Sequence, residues 1–175
     1  MKINVKKELD KNQILLLKIP SADYSKDITD IVKQLDGSIG YVTLNKTFDS
    51  LKEEFKKKKI NTDNILFIDA ISKTIKNAPE MAEGSFFVSS PAALTELSLA
   101  IDRLLRHNFK YIIFDSLTNL MIYEKRAPVS KFISFITNKI RQTKTKAVFY
   151  ALNIKEQDAL IEEAGMFADK VEQIK

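Results

Sequence analysis

Short apolar runs punctuate the chain, each too brief for a buried helix and too continuous for a strand wetted on one side. They are Ile14-Leu15-Leu16-Leu17-Lys18-Ile19, the segments 39–44 and 65–70, Tyr111-Ile112-Ile113-Phe114-Asp115, and 147–152. Runs of this length mark strands covered on both faces. Between them apolar residues recur at helical spacing. Ile28, Ile31, Val32 and Leu35 form one such stripe, with Gly37 predicted to end it. Thr47 is placed to cap a helix that buries Phe48, Leu51 and Phe55. Ser90-Pro91 predicts the start of a long helix burying Leu94, Leu97, Ile101, Leu104 and Leu105, and Pro128 the start of another burying Val129, Phe132, Ile133, Ile136 and Ile140. Asn153 with Glu156 has capping-box spacing, and Gly165 is predicted to close that helix. Residues 71–85 look irregular, with Pro79 and Gly84 as breakers; 85–88 and 170–174 suit edge strands.

Strands alternating with helices demand crossover connections. The expected fold is therefore one doubly wound α/β domain, with a mainly parallel sheet and helices on both faces. It spans 1–175, with 1–13 as a polar lead-in. Ligands of such sheets bind beyond the carboxyl ends of the strands. The loops after Ile19, Leu44, Ala70, Asp115 and Leu152 are thus the places for a site.

Composition narrows the chemistry. The chain has no cysteine and one histidine, His107, which rules out disulfides and thiolate metal sites and argues against zinc. No apolar run reaches the ~18 residues of a membrane helix, and the opening residues lack a signal-peptide core. A cytoplasmic protein that makes no membrane contact is expected. The net charge of +5 is a mild lysine excess. The densest run, Lys56 to Lys59, suits a solvated helix end as well as a nucleic-acid patch. A second basic region holds Lys125, Arg126, Lys131, Lys139, Arg141, Lys144 and Lys146 and is the candidate surface for nucleic acid. Tyr123 alone is placed there for stacking. The apolar residues Leu117, Leu120, Met121, Ile122 and Tyr123 predict a short helix on the core or an exposed segment for a partner.

Four stretches together resemble the KaiC-like branch of the RecA ATPase superfamily. Tyr41-Val42-Thr43-Leu44 followed by a helix looks like that family's second strand, and Ile65-Leu66-Phe67-Ile68-Asp69-Ala70 like its next. Ile112-Ile113-Phe114-Asp115-Ser116-Leu117-Thr118-Asn119-Leu120 is similar to its Walker B segment, whose aspartate holds magnesium. Phe167-Ala168-Asp169-Lys170-Val171-Glu172-Gln173-Ile174 resembles its closing strand, where Ala-Asp-Gly usually precedes an apolar pair. The likeness runs from about residue 14 to the C-terminus and implies a RecA/KaiC-like P-loop NTPase fold.

The departures fall on the catalytic parts. Where the phosphate loop would stand, Ile19-Pro20-Ser21-Ala22-Asp23-Tyr24-Ser25-Lys26-Asp27 contains no glycine. Glycines let backbone N–H groups converge on an anion without Cβ clashes. Asn45-Lys46 replaces the family's paired glutamates, and neither an amide nor an ammonium can act as the carboxylate base. Lys26 is the candidate phosphate-binding lysine, but Asp27 stands where the magnesium-binding hydroxyl would be. Either Ser25 or Asp23 is also placed to cap the helix. One like charge at ~5 Å and an effective dielectric of ~20 opposes a triphosphate by roughly 3 kcal/mol. Lys26, Asp115 and Ser116 are therefore read as a vestigial pocket, with no catalytic residue, no metal site and no cofactor; ATP and magnesium are not expected to bind in the ordinary mode.

Asp69 and Asp115, both at strand ends, could instead face each other as paired carboxylates. The resemblance implies a non-catalytic pseudo-ATPase, an interaction or regulatory module. Its expected partner is an active family member or a second copy of the chain. A nucleic-acid binder using the 125–146 region, and a residual nucleotide or small-ligand binder at the carboxyl edge, are the alternatives.

Overall fold

The computed structural model describes residues 3–174. In chain order the elements are α1 (Val5–Lys11), β1 (Ile14–Ile19), α2 (Tyr24–Val32), β2 (Ile39–Thr43), α3 (Phe48–Lys57), β3 (Ile65–Asp69), α4 (Ser72–Ile75), β4 (Met81–Ala82) and β5 (Ser85–Phe87). There follow α5 (Leu94–Arg106), β6 (Tyr111–Asp115), α6 (Leu117–Tyr123), α7 (Arg126–Arg141), β7 (Lys146–Leu152), α8 (Asp158–Phe167) and β8 (Lys170–Gln173). Single 3-10 turns, Ser21–Asp23 and Lys155–Gln157, precede α2 and α8.

All strands join one sheet in the order β4-β5-β3-β2-β6-β7-β1-β8. Each pairing is parallel except β4 with β5. Alternation along the strands divides the core in two. Leu16, Val42, Ile68, Phe114 and Phe149 face the layer that includes Leu97 and Leu104 of α5, Ile133 and Ile140 of α7 and Ile161 of α8. Leu15, Tyr41, Phe67, Ile113 and Tyr150 face Leu9 of α1, Ile28 and Ile31 of α2 and Leu51 and Phe55 of α3. The doubly wound α/β architecture expected from the apolar runs is the one observed.

Several local expectations change. The polar lead-in 1–13 contains α1: Asn4 accepts the Lys7 N–H at 2.9 Å, and Val5 and Leu9, one turn apart, are buried. α2 stops at Val32, leaving Leu35 in the following turn, and Gly37 serves at φ +108 in the turn before β2. Pro91 lies before α5, not in it. The Ala93 N–H closes a turn on the Ser90 carbonyl (3.0 Å), and Glu96 reaches back to the Ser89 N–H (2.9 Å). α7 begins two residues before Pro128, which sits in the first turn where its missing N–H costs nothing. No side chain caps α8, so the Asn153–Glu156 capping box does not form, and the helix runs past Gly165 to Phe167. A Cβ on Gly165 would lie 3.2 Å from Val171 Cγ2; that glycine serves close packing of α8 on β8. Thr47 does cap α3, accepting the Ser50 N–H at 3.2 Å. The irregular 71–85 stretch holds α4 and β4, and 117–123 is the expected short helix.

Candidate functional site

Register places the two strand-terminal carboxylates. Thr43 of β2 pairs with Asp69 of β3 on one side and Asp115 of β6 on the other. Two strand spacings separate them, about 10 Å. They do not face each other, and their surroundings differ.

Asp69 is saturated by its own neighbourhood. It accepts the Phe48 N–H (2.7 Å), the Ile71 and Ser72 N–H groups (2.7 and 2.8 Å) and the Ser72 hydroxyl (2.6 Å). These bonds satisfy the free N–H groups at the starts of α3 and α4, which is a structural task. The paired-carboxylate reading is not supported by this geometry.

Asp115 is fully buried. It lies on the same strand face as Tyr111 and Ile113, toward α2 and α3. Its Oδ1 accepts from the Tyr24 hydroxyl and from Asn45 Nδ2 (2.9 Å); its Oδ2 accepts from the Tyr41 hydroxyl (2.5 Å). Tyr41 comes from the adjacent strand, Asn45 from just beyond that strand's end, and Tyr24 from the first residue of α2. The Tyr24 ring stands edge-on to Tyr150 of β7, centroids 6.5 Å apart. The Tyr150 hydroxyl is buried and makes no hydrogen bond among the described residues. Burial raises the Asp115 pKa above the ordinary carboxylate range, although the Tyr24 and Tyr41 hydroxyls, the Lys46 charge and the Asn45 amide all oppose it. Burial and then the Asp115 charge push the phenols of Tyr24, Tyr41 and Tyr150 well above theirs.

The Asn45-Lys46 pair has two roles. Asn45 binds Asp115. Lys46 Nζ reaches Ser25 of α2 (2.8 Å) and Glu54 of α3 (2.6 Å), tying the β2–α3 loop to both helices. Ser25 is thereby an acceptor for Lys46 and not a helix cap, and Asp23 caps nothing either.

The expected grouping of Lys26, Asp115 and Ser116 does not assemble. Lys26 lies two residues beyond Tyr24, about 200° around the helix, so inward Tyr24 sends Lys26 outward. Lys26 is exposed and its ammonium makes no hydrogen bond or ion pair among the described residues. Ser116 is buried; its hydroxyl donates to Asn119 Oδ1 (2.6 Å), shares a hydrogen bond with Thr118 (2.9 Å) and lies beside the Tyr24 phenol. The sequence reading missed Tyr24, Tyr41, Tyr150 and Asn45. A signal existed: Tyr41 and Tyr150 sit inside apolar runs, and a buried phenol normally needs a partner.

The basic set is dispersed. Arg126 pairs with Glu163, Lys139 with Asp102 (2.8 Å) and Arg141 with Asp169 (2.9 Å). Arg126 and Arg141 stand at opposite ends of α7, about 22 Å apart along the axis at 1.5 Å per residue. Lys125, Lys131 and Lys144 are exposed with no ion pair among the described residues. The Lys146 ammonium donates to the Leu9 carbonyl. A groove of about 800 Å³ is lined by Lys110, Arg141, Lys144 and Thr145, at the amino ends of β6 and β7, the opposite edge of the sheet from Asp115. No helix among the described residues is long and apolar enough to cross a membrane.

Among solved structures, the chain is similar to the crystal structure of a KaiC-like protein from the hyperthermophilic archaeon Pyrococcus horikoshii. The TM-score is 0.66 at 10% identity, over 94% of this chain and 73% of that one. At this identity the likeness is one of fold: an eight-stranded, mostly parallel sheet with helices, as in the KaiC-like, RecA-type P-loop fold. No family model matches the chain, and no curated protein matches its sequence.

Proposed function

We propose that this chain is a non-catalytic, KaiC/RecA-like pseudo-ATPase domain that works as a protein-interaction or regulatory module. The observation that carries the reading is the Tyr24 hydroxyl on Asp115. The resemblance gives Asp115 the role of the magnesium-holding aspartate, and here a phenol from the phosphate-loop position hydrogen-bonds to it. A magnesium-bound nucleotide would have to displace Tyr24 and would find neither a glycine nest for its phosphates nor a carboxylate base at Asn45-Lys46. What such a fold retains is its surface. Its partner in this reading is an active family member or a second copy of this chain. The nucleic-acid alternative has less support, because carboxylates neutralise three of the seven cations proposed for it and α7 spreads the set.

The purified chain is expected to show no Mg-ATP hydrolysis and no nucleotide-dependent rise in melting temperature. A ligand at a hundred times its Kd would stabilise by about 2.7 kcal/mol. A shift of that size at millimolar ATP, or turnover abolished by Asp115→Asn, would overturn the proposal.

A further inference from the structure

The segment that covers Asp115 is weakly anchored to everything except that site. Pro20 has no N–H to contribute. Ser21, Ala22 and Asp23 form a 3-10 turn with no buried residue, and neither that turn nor α2 has a side-chain cap. The first firmly buried apolar residue of α2 is Ile28. Between Pro20 and that point, Tyr24 carries most of the side-chain anchorage among the described residues: its hydroxyl meets Asp115 and lies beside Ser116, and its half-buried ring packs on the core against Tyr150, whereas the Ser25–Lys46 hydrogen bond is exposed and Asp27 is the one other buried side chain. The ground beneath is the reverse. Asp115, Ser116 and Tyr150 are fully buried and belong to central strands or the turn leaving one. Segments with few buried contacts open locally at a fraction of the global unfolding free energy.

We infer that residues 20–25 form a latch, with the Tyr24 phenol as its bolt. It closes over the carboxyl edge and opens while the sheet stays folded. Opening uncovers a site in which Asp115 Oδ1 accepts, and the Asn45 amide and the unpartnered Tyr150 hydroxyl donate. Tyr24 is the internal occupant of that site. This inference does not depend on the chain being non-catalytic; it concerns access to Asp115 whatever enters there.

The absence of cysteine makes the test clean. Ser116→Cys puts a single, nearly isosteric thiol beneath the latch. Its reaction with methyl methanethiosulfonate is followed by mass spectrometry across a urea series, beside global unfolding of the same variant. A latch gives a labelling rate that is flat at low urea, because local opening exposes little surface. Adding Tyr24→Phe then raises that flat rate by about tenfold or more, the worth of one hydrogen bond to a charged group. The inference fails if labelling climbs with urea from zero along the global unfolding slope. It fails equally if Tyr24→Phe accelerates labelling by no more than its loss of global stability accounts for. Should Ser116→Cys not fold, hydrogen exchange of residues 20–27 in the unaltered chain decides the same point. Exchange faster than, and less urea-dependent than, that of β6 supports the latch, and exchange in step with β6 refutes it.

Discussion

Removing the hydroxyl from Tyr41 and from Tyr150 is the same chemical change at two fully buried sites on adjacent sides of one carboxylate, and the structure assigns the two changes opposite signs. The Tyr41 hydroxyl donates to Asp115 Oδ2 at 2.5 Å. Tyr41→Phe loses a hydrogen bond to a charged group, about 1.5–3 kcal/mol, and leaves one lone-pair face of a buried carboxylate bare. The Tyr150 hydroxyl has been stripped of water with nothing in return among the described residues. A buried unsatisfied hydroxyl costs about 1–3 kcal/mol, so Tyr150→Phe recovers part of that. For a chain of this length 1 kcal/mol moves Tm by about 2–4 °C. Tyr41→Phe should therefore lower Tm by about 3–12 °C, and Tyr150→Phe should leave it unchanged or raise it by a few degrees. Urea unfolding at neutral pH, read by far-ultraviolet circular dichroism, gives both free energies with unaltered slopes. Equal destabilisation by the two variants would refute the reasoning, since it would mean that Tyr150 has a partner worth as much as Asp115.

Two further expectations follow from the same buried groups. Because burial holds the Tyr24, Tyr41 and Tyr150 phenols well above their ordinary range, the unfolded chain releases these protons first as pH rises past about 10. The contribution is full below that pH and falls as pH climbs toward the folded values, at about 1.4 kcal/mol per pH unit for each phenol; urea midpoints from pH 8 to 11 should drop steeply, and less steeply in Tyr150→Phe. Asp69→Asn should cost at least about 3 kcal/mol in the same assay, because it removes the charge and turns one carboxylate oxygen into an amide nitrogen that cannot accept from the Phe48 N–H at one position or from the Ile71 and Ser72 N–H groups at the other, and a loss under 1 kcal/mol would show that the starts of α3 and α4 are satisfied otherwise.

The strands and most helices were legible because their signals are local. A run such as Tyr111-Ile112-Ile113-Phe114 has no comfortable place except between two layers, and Thr47 announces its helix from one residue away. Legibility failed where a boundary is decided by a distant or competing contact. Pro91 is acceptable in a first helical turn, but the Glu96–Ser89 bonds shape a preceding turn instead. α1 was missed because two apolar residues among lysines make a thin stripe. Asp115 was found as the end of an apolar strand. Its cage was not, since Tyr24 meets it across 91 residues of chain. That meeting depends on β7 lying between β1 and β6, which no local pattern encodes.

The strand order also bears on how the chain is born. β1 is seated between β7 and β8, the last two strands to be made. A stretch reading Ile-Leu-Leu-Leu-Lys-Ile therefore leaves the ribosome about 130 residues ahead of its first lateral neighbour. At about 5–20 residues per second it waits roughly 6–25 s with both edges open. α1 and α2 can shelter one of its faces meanwhile, and nothing but late synthesis can close the rest. Truncation after α7 should accordingly yield not a smaller stable domain but a sticky, aggregating chain.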